Sequence, residues 1–184
     1  MGLKHSLIAL TFGLAASLAG TSAFANTGTI NFEGAITGGT CPIEIVNPGD
    51  GSIGGLVRMI SVDASSFTGV DQEYGGKGFS LRIKDGAECG VAVGGGKGTV
   101  TFNGTADGAD YFAVRTTSDA AKGVAIAIRD SSGNAIGPGV ASVEYPIAET
   151  GPSEMRFDAY YHSTQASVTK GVASADISFL VTII

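Results

Sequence analysis

Apolar and polar residues alternate in short runs along most of this chain. A period of two places successive side chains on opposite faces of an extended strand. No segment shows a sustained period of 3.6 residues, which would indicate an amphipathic helix. Turn-forming Gly, Asn, Asp and Ser separate the runs, which predict strands at 79–83, 99–104, 111–115, 124–130, 155–162 and 175–184. Regularly spaced short strands of this kind predict an all-β fold, an antiparallel sandwich.

Two apolar stripes stand near the ends of the chain. The stretch "GTINFEGAITGGTC" (28–41) alternates, and so does the last predicted strand. Strand edges with apolar faces recruit strands from other chains, which predicts an intermolecular partner for these two segments. The alternative is an ordinary first strand that pairs within its own domain. One face of the first stripe carries Gly28, Ile30, Phe32, Gly34 and Ile36; one face of the last carries Ala173, Ala175, Ile177, Phe179, Val181 and Ile183.

Glycine-rich segments between the runs predict turns. The stretch "RDSSGNAI" (129–136) predicts a hairpin, with Gly133 and Asn134 both suited to positive φ. The stretch "GGGKGT" (94–99) resembles a phosphate-binding loop, but Gly98 stands where that motif needs Ser or Thr, and no helix follows. We therefore predict a simple loop at this position.

Residues 1–25 have the pattern of a secretion signal, with Lys4, an apolar run over 7–20 and the small-residue box Ala23-Phe24-Ala25. The apolar run is 14 residues long, whereas a membrane span needs about 20. We expect cleavage before Asn26 and export of a single domain of 159 of the 184 residues, without membrane insertion of the mature domain.

The exported chain is acidic, and this argues against nucleic acid as a partner. Loss of Lys4 with the signal leaves 10 basic and 17 acidic residues, a net charge of −7. Binding to phosphate backbones needs clustered Lys and Arg, which the sequence does not have.

Two cysteines, Cys41 and Cys89, remain after removal of the signal. An even count in an exported protein predicts one disulfide, with two free thiols as the alternative. The chain-entropy model gives a bridge of this span about 4 kcal/mol of stabilisation.

No constellation of residues in the sequence indicates catalysis or a cofactor. His162 has neither a ligand-spaced partner for a metal nor a serine elbow and oriented carboxylate for acyl transfer. We expect it to be a strand residue at the surface. No carboxylate pair for glycoside cleavage can be chosen. The sequence therefore predicts a protein that is not an enzyme and has no metal, cofactor or catalytic residues.

The order of these features resembles a subunit of chaperone–usher fimbriae, of the type 1 or P-pilus kind, over essentially all of the exported chain. The resembling pieces are "GTINFEGAITGGTC", the position of Cys89, "GVAIAIRDSSGNAI" (123–136) and "MRFDAYYHS…VTKGVASADISFLVTI". Such pilins are incomplete immunoglobulin-like sandwiches, completed by a donor strand from a neighbouring subunit. The resemblance implies a signal peptide at 1–25, a donor-strand extension at 26–40 and a pilin domain at 41–184.

The resemblance also implies the roles of individual residues. Gly28, Ile30, Phe32, Gly34 and Ile36 would be the inserted side of the donor strand, with Gly34 at the family's glycine position. An acceptor groove would include Ile177, Phe179, Val181 and Ile183. The partners implied are identical or related pilin subunits, a periplasmic chaperone and an outer-membrane usher. Export through the periplasm to a fimbrium on the cell surface follows.

One residue departs from the family pattern. The family usually has a tyrosine at the penultimate position, where this chain has Ile183.

The alternative function is a single-domain exported adhesin or another carbohydrate-binding β-sandwich, with aromatic contacts from Tyr111, Tyr145, Tyr160 and Tyr161. Against this alternative, we expect those tyrosines to be core or cross-strand residues.

Overall fold

The computed structural model describes residues 28–34, 41–47, 51 and 53–184. These residues form eleven strands and two short 3₁₀ helices, Ala64–Ser66 and Ala87–Cys89, and they contain no α-helix. The strands are β1 (Gly28–Gly34), β2 (Ile43–Val46), β3 (Leu56–Arg58), β4 (Glu73–Ile83), β5 (Gly96–Gly104), β6 (Ala106–Asp107), β7 (Tyr111–Ala113), β8 (Val124–Asp130), β9 (Tyr145–Ile147), β10 (Ser153–Ser163) and β11 (Ala173–Ile183).

Two sheets make up the fold. The five-stranded sheet has the order β3-β1-β11-β5-β9, and the six-stranded sheet has the order β2-β4-β10-β8-β7-β6. All ladders are antiparallel except that between β1 and β11, which is parallel. The all-β prediction is confirmed.

Aromatic rings join the two sheets at the centre of the core. Phe102 of β5 lies edge-on to Phe157 of β10 with ring centroids 5.0 Å apart, and Phe157 stacks on Phe79 of β4 at 5.5 Å. All three side chains are almost fully buried. Burial along β10 alternates from Ser153 to Ala159, as a strand with one face on the core requires.

The six predicted strands are all present, and most are longer or shorter than predicted. β8 has the predicted bounds, whereas the run 79–83 is only the second half of β4. The prediction of a loop over 94–99 was wrong from Gly96 onwards, because β5 begins at that residue. The sequence prediction missed four short strands: β2, β3, β6 and β9.

The predicted hairpin at 129–136 is confirmed. Asp130 N–H donates to the carbonyl of Asn134, and Gly133 has a φ of +82°. The Asp130 carboxylate also accepts hydrogen bonds from the N–H groups of Ser132 and Asn134, so the turn is held by its own side chain. Asn134 is not among the residues with positive φ, so only the glycine half of that prediction holds.

A β-bulge shapes the start of β4. The register with β10 shifts between Ala159 and Tyr161, and Gly75 has a φ of +74° at this point. A Cβ on Gly75 would lie 2.8 Å from Cδ2 of Tyr161. The bulge therefore needs glycine both for its backbone conformation and for the approach of the Tyr161 ring.

The sandwich has two distinguishable ends. At one, which we call the disulfide pole, a Cβ on Gly96 would lie 3.2 Å from both the carbonyl oxygen of Ile184 and Cγ1 of Val91, so the end of β11 lies close to the segment that follows Cys89. At the other, the opposite pole, β11 begins at Ala173 and β10 ends at Ser163. Ten residue steps of β11 separate the poles by about 33 Å.

Candidate functional site

The position of β1 in its sheet is the candidate functional site, and we call it the strand seat. One wall is β11, whose residues Ala173 to Phe179 pair in parallel with Gly28 to Gly34. The other wall is β3, in which Leu56 to Arg58 pair antiparallel with Asn31 to Thr29. A strand in this seat is thus hydrogen-bonded on both sides.

The structure brings together part of the predicted donor and acceptor sets. Phe32 has Ile177 as its Cα partner, and Gly34 has Phe179. Gly28 and Ile30 lie beside Ala173 and Ala175 of the same strand. Ile36 lies outside the described residues.

The four predicted acceptor residues differ in burial. Ile177 and Phe179 are 1% and 5% exposed, whereas Val181 and Ile183 are half-buried and pack against the edge of the core. The last two lie beyond Phe179, the final β11 partner of β1. Along β11 the face of Ile177 and Phe179 is therefore buried, and burial decreases towards the disulfide pole. The role of the four residues as an acceptor groove stays a prediction.

The wall formed by β3 was missed in the sequence. It has three residues, and its centre, Val57, is fully buried. In the sequence only the apolar pair Leu56-Val57, after two glycines and before Arg58, indicates a strand here. Two residues are too few to show alternation. Asn47 contributes to this wall by donating from Nδ2 to the carbonyl of Leu56 at 3.2 Å.

A small apolar cavity of about 40 Å³ lies at the opposite pole, next to the start of the strand seat. Its lining includes Val62, Phe67, Tyr161 and Val168, together with Ala173 of β11. Burial raises the pKa of Tyr161 to about 12, so its hydroxyl stays neutral at physiological pH. Most of the lining at this end of the seat is therefore apolar, and Lys170 is its one charged residue.

The disulfide joins Cys41 and Cys89, with Cα atoms 4.6 Å apart. The predicted bridge is thus present, and there are no free cysteines among the described residues. It fixes the start of the domain to the disulfide pole. Because residues 35–40 lie between β1 and Cys41, the strand in the seat is outside the loop that this bond closes.

The expectation of a surface position for His162 was wrong. The residue is on β10 as predicted, but it is only 3% exposed, and its ring stacks on Tyr111 with centroids 3.8 Å apart. Its ring nitrogens lie 3.4 Å from Asp71 and 3.4 Å from Glu73. The period of two could not show this, because the β-bulge and the loop carrying Asp71 cover the end of the strand.

Glu73 is the best-connected carboxylate of this cluster. Arg129 donates to both of its carboxylate oxygens, from Nε at 2.9 Å and Nη2 at 2.8 Å. Burial alone would raise the pKa of Glu73, but hydrogen bonds and charge from Arg129 and His162 outweigh it and hold that pKa below its usual range. The cluster thus fastens the start of β4 to β8 and β10.

The four tyrosines considered for carbohydrate contacts differ in burial. Tyr145 and Tyr161 are buried, and Tyr145 donates to the carbonyl of Arg156. Tyr111 and Tyr160 are half-buried. Within the described ranges no cluster of His, Cys, Asp or Glu could hold a metal ion. In the same part of the chain, no helix has the length and apolar character to cross a bilayer.

Known proteins resemble this chain over nearly its whole length. The family model described as fimbrial protein matches residues 30–183. The probable major fimbrial subunit LpfA of Escherichia coli O157:H7 is 31% identical over 96% of this chain and 95% of its own. The protein LpfE of Salmonella typhimurium is 30% identical over 97% of each.

Solved structures agree in fold. A Burkholderia pseudomallei antigen and type I fimbria protein superposes with a TM-score of 0.51 at 36% identity, over 85% of this chain and 95% of its own. The P pilus rod subunit PapA gives a TM-score of 0.50 at 18% identity, over 67% of this chain and 92% of its own, and so speaks for the fold alone. Both the sheet architecture and these neighbours are those of immunoglobulin-like pilins. The chain therefore belongs to the fimbrial protein family, as an immunoglobulin-like structural subunit of a fimbria at the cell surface.

Proposed function

We propose that this subunit polymerises by donor-strand exchange, in which residues 26–40 of one copy enter the strand seat of the next. The inserted side would be Gly28, Ile30, Phe32, Gly34 and Ile36, and the acceptor side Ile177, Phe179, Val181 and Ile183. The observation that carries the proposal is that a segment outside the disulfide-closed domain forms an inner strand of its sheet.

An empty seat would be costly for the domain. The β11 backbone groups that face it would lose their hydrogen-bond partners, and each buried unpaired group costs about 1–3 kcal/mol. The core behind Ile177 and Phe179 would also lose its cover. A domain built in this way needs a strand from some source at all times.

Every copy carries one strand and one seat, so copies can complete each other. Before assembly, a strand from a periplasmic chaperone would fill the seat, and exchange would take place at an outer-membrane usher. The secretion-signal pattern at 1–25 supports this route through the periplasm. Better packing of the incoming subunit's strand would drive the exchange, with no nucleotide, cofactor or catalytic step. The subunit is on this view not an enzyme.

The test is to supply the strand separately. The domain of residues 38–184 is melted with and without a synthetic peptide of residues 26–40, and a scrambled peptide of the same composition is the control. We expect the domain alone to be unstable or aggregated. The matched peptide at a hundred times its Kd should stabilise it by about 2.7 kcal/mol. A cooperative melt of the bare domain that the peptide does not shift would refute the proposal.

A further inference from the structure

A groove of about 370 Å³ lies on the outer face of the six-stranded sheet, over β4 and β10. Its floor includes Gly78 and Ser80 of β4, whose Cα partners in β10 are Asp158 and Arg156. Glycine has no side chain and serine has a short one, so larger side chains stand on either side of an open floor. The volume is in the range of small-molecule sites in proteins. Because the strand seat belongs to the other sheet, the groove is a separate feature of the subunit.

The two walls of the groove differ in polarity. Glu154, Arg156 and Asp158 are exposed alternate residues of β10, on the face that points away from the core, and they form the polar wall. Val46, at the end of β2, contributes an apolar surface across β4 from them. A groove of this mixed character can orient a ligand through a few hydrogen bonds and cover its apolar parts.

The donor groups of Arg156 are largely available to a ligand. Its side chain is 76% exposed, and its Nη2 lies 3.6 Å from Oε2 of Glu154. A guanidinium carries five N–H donors. Arg129 on the neighbouring strand β8, in contrast, donates to both carboxylate oxygens of Glu73 and to the carbonyl of Gly133. Arg129 therefore holds the fold together, whereas Arg156 can donate to a molecule in the groove.

An aromatic ring extends the same face beyond the groove. Tyr160 is the next alternate residue of β10 after Asp158, and it is half-buried. A Cβ on Gly76 would lie 2.6 Å from Cε1 of Tyr160, so the ring packs over the backbone of the neighbouring strand β4. The six residue steps from Glu154 to Tyr160 cover about 20 Å. The face is thus long enough for an extended ligand and ends in a ring on which that ligand can pack.

We propose that this groove binds a neutral oligosaccharide. Carboxylate oxygens of Glu154 and Asp158 would accept hydrogen bonds from sugar hydroxyls, and Arg156 would donate to hydroxyl oxygens. The C–H faces of the sugar rings would pack on Val46 and on the ring of Tyr160. Two of the three charges on the polar wall are negative, which disfavours glycans that carry acidic groups.

The position of the groove favours a sugar over an extended peptide. A peptide that adds to a sheet binds at a strand edge, where backbone groups are free. β4 lies between β2 and β10, and β10 lies between β4 and β8, so both are inner strands. Their backbones pair with each other from Ser153 to Ala159 of β10. The groove therefore presents side chains to a ligand rather than an unpaired strand.

This binding would add a function to assembly. A fimbria contains many copies of its structural subunit, so the groove would recur along the side of the fibre. Linked sites bind a surface that carries many ligands far more tightly than one site does. Weak binding by a single subunit would therefore be sufficient for attachment of the whole fibre.

Calorimetric titration of the exported chain, residues 26–184, tests the ligand class. The neutral probes are cellotetraose, mannotetraose, chitotetraose and lacto-N-tetraose; sialyllactose is the acidic probe and a Gly-Ser octapeptide is the extended peptide. We expect saturable binding of at least one neutral probe with a Kd of about 1 mM or tighter. No saturable binding of any neutral probe up to about 10 mM would overturn the proposal. Tighter binding of sialyllactose or of the octapeptide would also overturn it.

Two variants test whether the groove is the site. Gly78→Val fills the floor and leaves every polar group in place, and Gly78 is not among the glycines with positive φ, so its backbone accepts a side chain. Arg156→Ala removes the available donors. Each should weaken binding of the neutral probe roughly tenfold or more. Thr182→Ala, on the exposed outer face of β11 in the other sheet, is the control and should bind as the wild type does.

Urea denaturation establishes that each variant is folded before its affinity is compared. Wild-type affinity in a folded Gly78→Val or Arg156→Ala chain would overturn the assignment of the groove. An equal loss of affinity in Thr182→Ala would overturn it as well, because the effect would then not depend on the face that was changed.

Discussion

The centre of the six-stranded sheet and the strand seat are both hydrogen-bonded on two sides, yet they differ in how they are held. β10 pairs antiparallel along its length with β4 and β8, and its Phe157 packs on rings from both sheets. β1 is a shorter strand, parallel to β11 and flanked by three residues of β3. The first region lies wholly within residues 41–184, whereas the second is, on the proposed function, a position that different strands can fill.

On the proposed function, this difference would let a subunit be stable and exchange one strand at the same time. Stability comes from antiparallel strands, stacked rings and the Cys41–Cys89 bridge, all of which lie within residues 41–184. The proposed exchange concerns one inner strand, which precedes residues 35–40 in the chain. A perturbation of the first region should therefore lower stability in a way that a supplied strand does not restore, whereas a perturbation of the second should change assembly and be compensated by a supplied strand.

The largest effect is expected at the centre of the core. Phe157→Ala should lower the free energy of unfolding by about 3–5 kcal/mol, because it leaves a cavity between Phe79, Phe102 and Tyr145. Urea denaturation of the full chain measures the loss, and added peptide of residues 26–40 should not restore it. Tyr160→Ala, on the outward face of β10, is the matched control and should lose far less. Restoration by the peptide would show that the two regions are not independent.

An intermediate effect is expected at the donor strand. If Gly34 enters a constricted part of the groove, Gly34→Asn should weaken insertion by about 1–3 kcal/mol through overpacking. Peptides of residues 26–40 with and without the change, titrated onto the 38–184 domain, measure this directly. Thr29→Asn, at an alternate position of β1 that the period of two places on the other face, is the control. Equal affinities of the Gly34→Asn and wild-type peptides would remove Gly34 from its proposed role.

The smallest effect is expected from Glu73 at the start of β4, whose carboxylate contacts Arg129 of β8 and His162 of β10. Its pKa is lowered in the folded state by Arg129 and His162, so its contribution is present above its unfolded pKa and is lost as the pH falls through the lower, folded pKa. Glu73→Gln should cost roughly 1 kcal/mol at pH 7, the scale of an ion pair of limited exposure. Its stability should then fall less than that of the wild type between about pH 5 and pH 3.

Urea denaturation across this pH range measures the difference between Glu73→Gln and wild type. Exposed Glu88→Gln is the control and should follow the wild type. If the free energies of unfolding of Glu73→Gln and wild type change equally with pH, the ion pair between Glu73 and Arg129 does not stabilise the domain. Peptide affinity should stay unchanged in both variants, because Glu73 belongs to the other sheet.

The sequence by itself determined the regular part of this protein. A period of two is a local property, so it located β8 and most of β10 and β11, and it grouped the alternate residues from Ala173 to Ile183 on one face of β11. The exported cysteine pair predicted the disulfide that the structure contains. Order of motifs along the chain then indicated the family, which the comparisons confirmed.

Tertiary structure alone decided the rest. The parallel direction of β1 and its neighbour β3 depend on pairing between distant segments, and no local period encodes the partner or direction of a strand. The burial of His162 depends on a bulge and on a loop from another part of the chain, so the same alternation that located β10 gave the wrong environment for its last residues. Local alternation determines which residues can form a strand, and long-range packing determines where that strand lies.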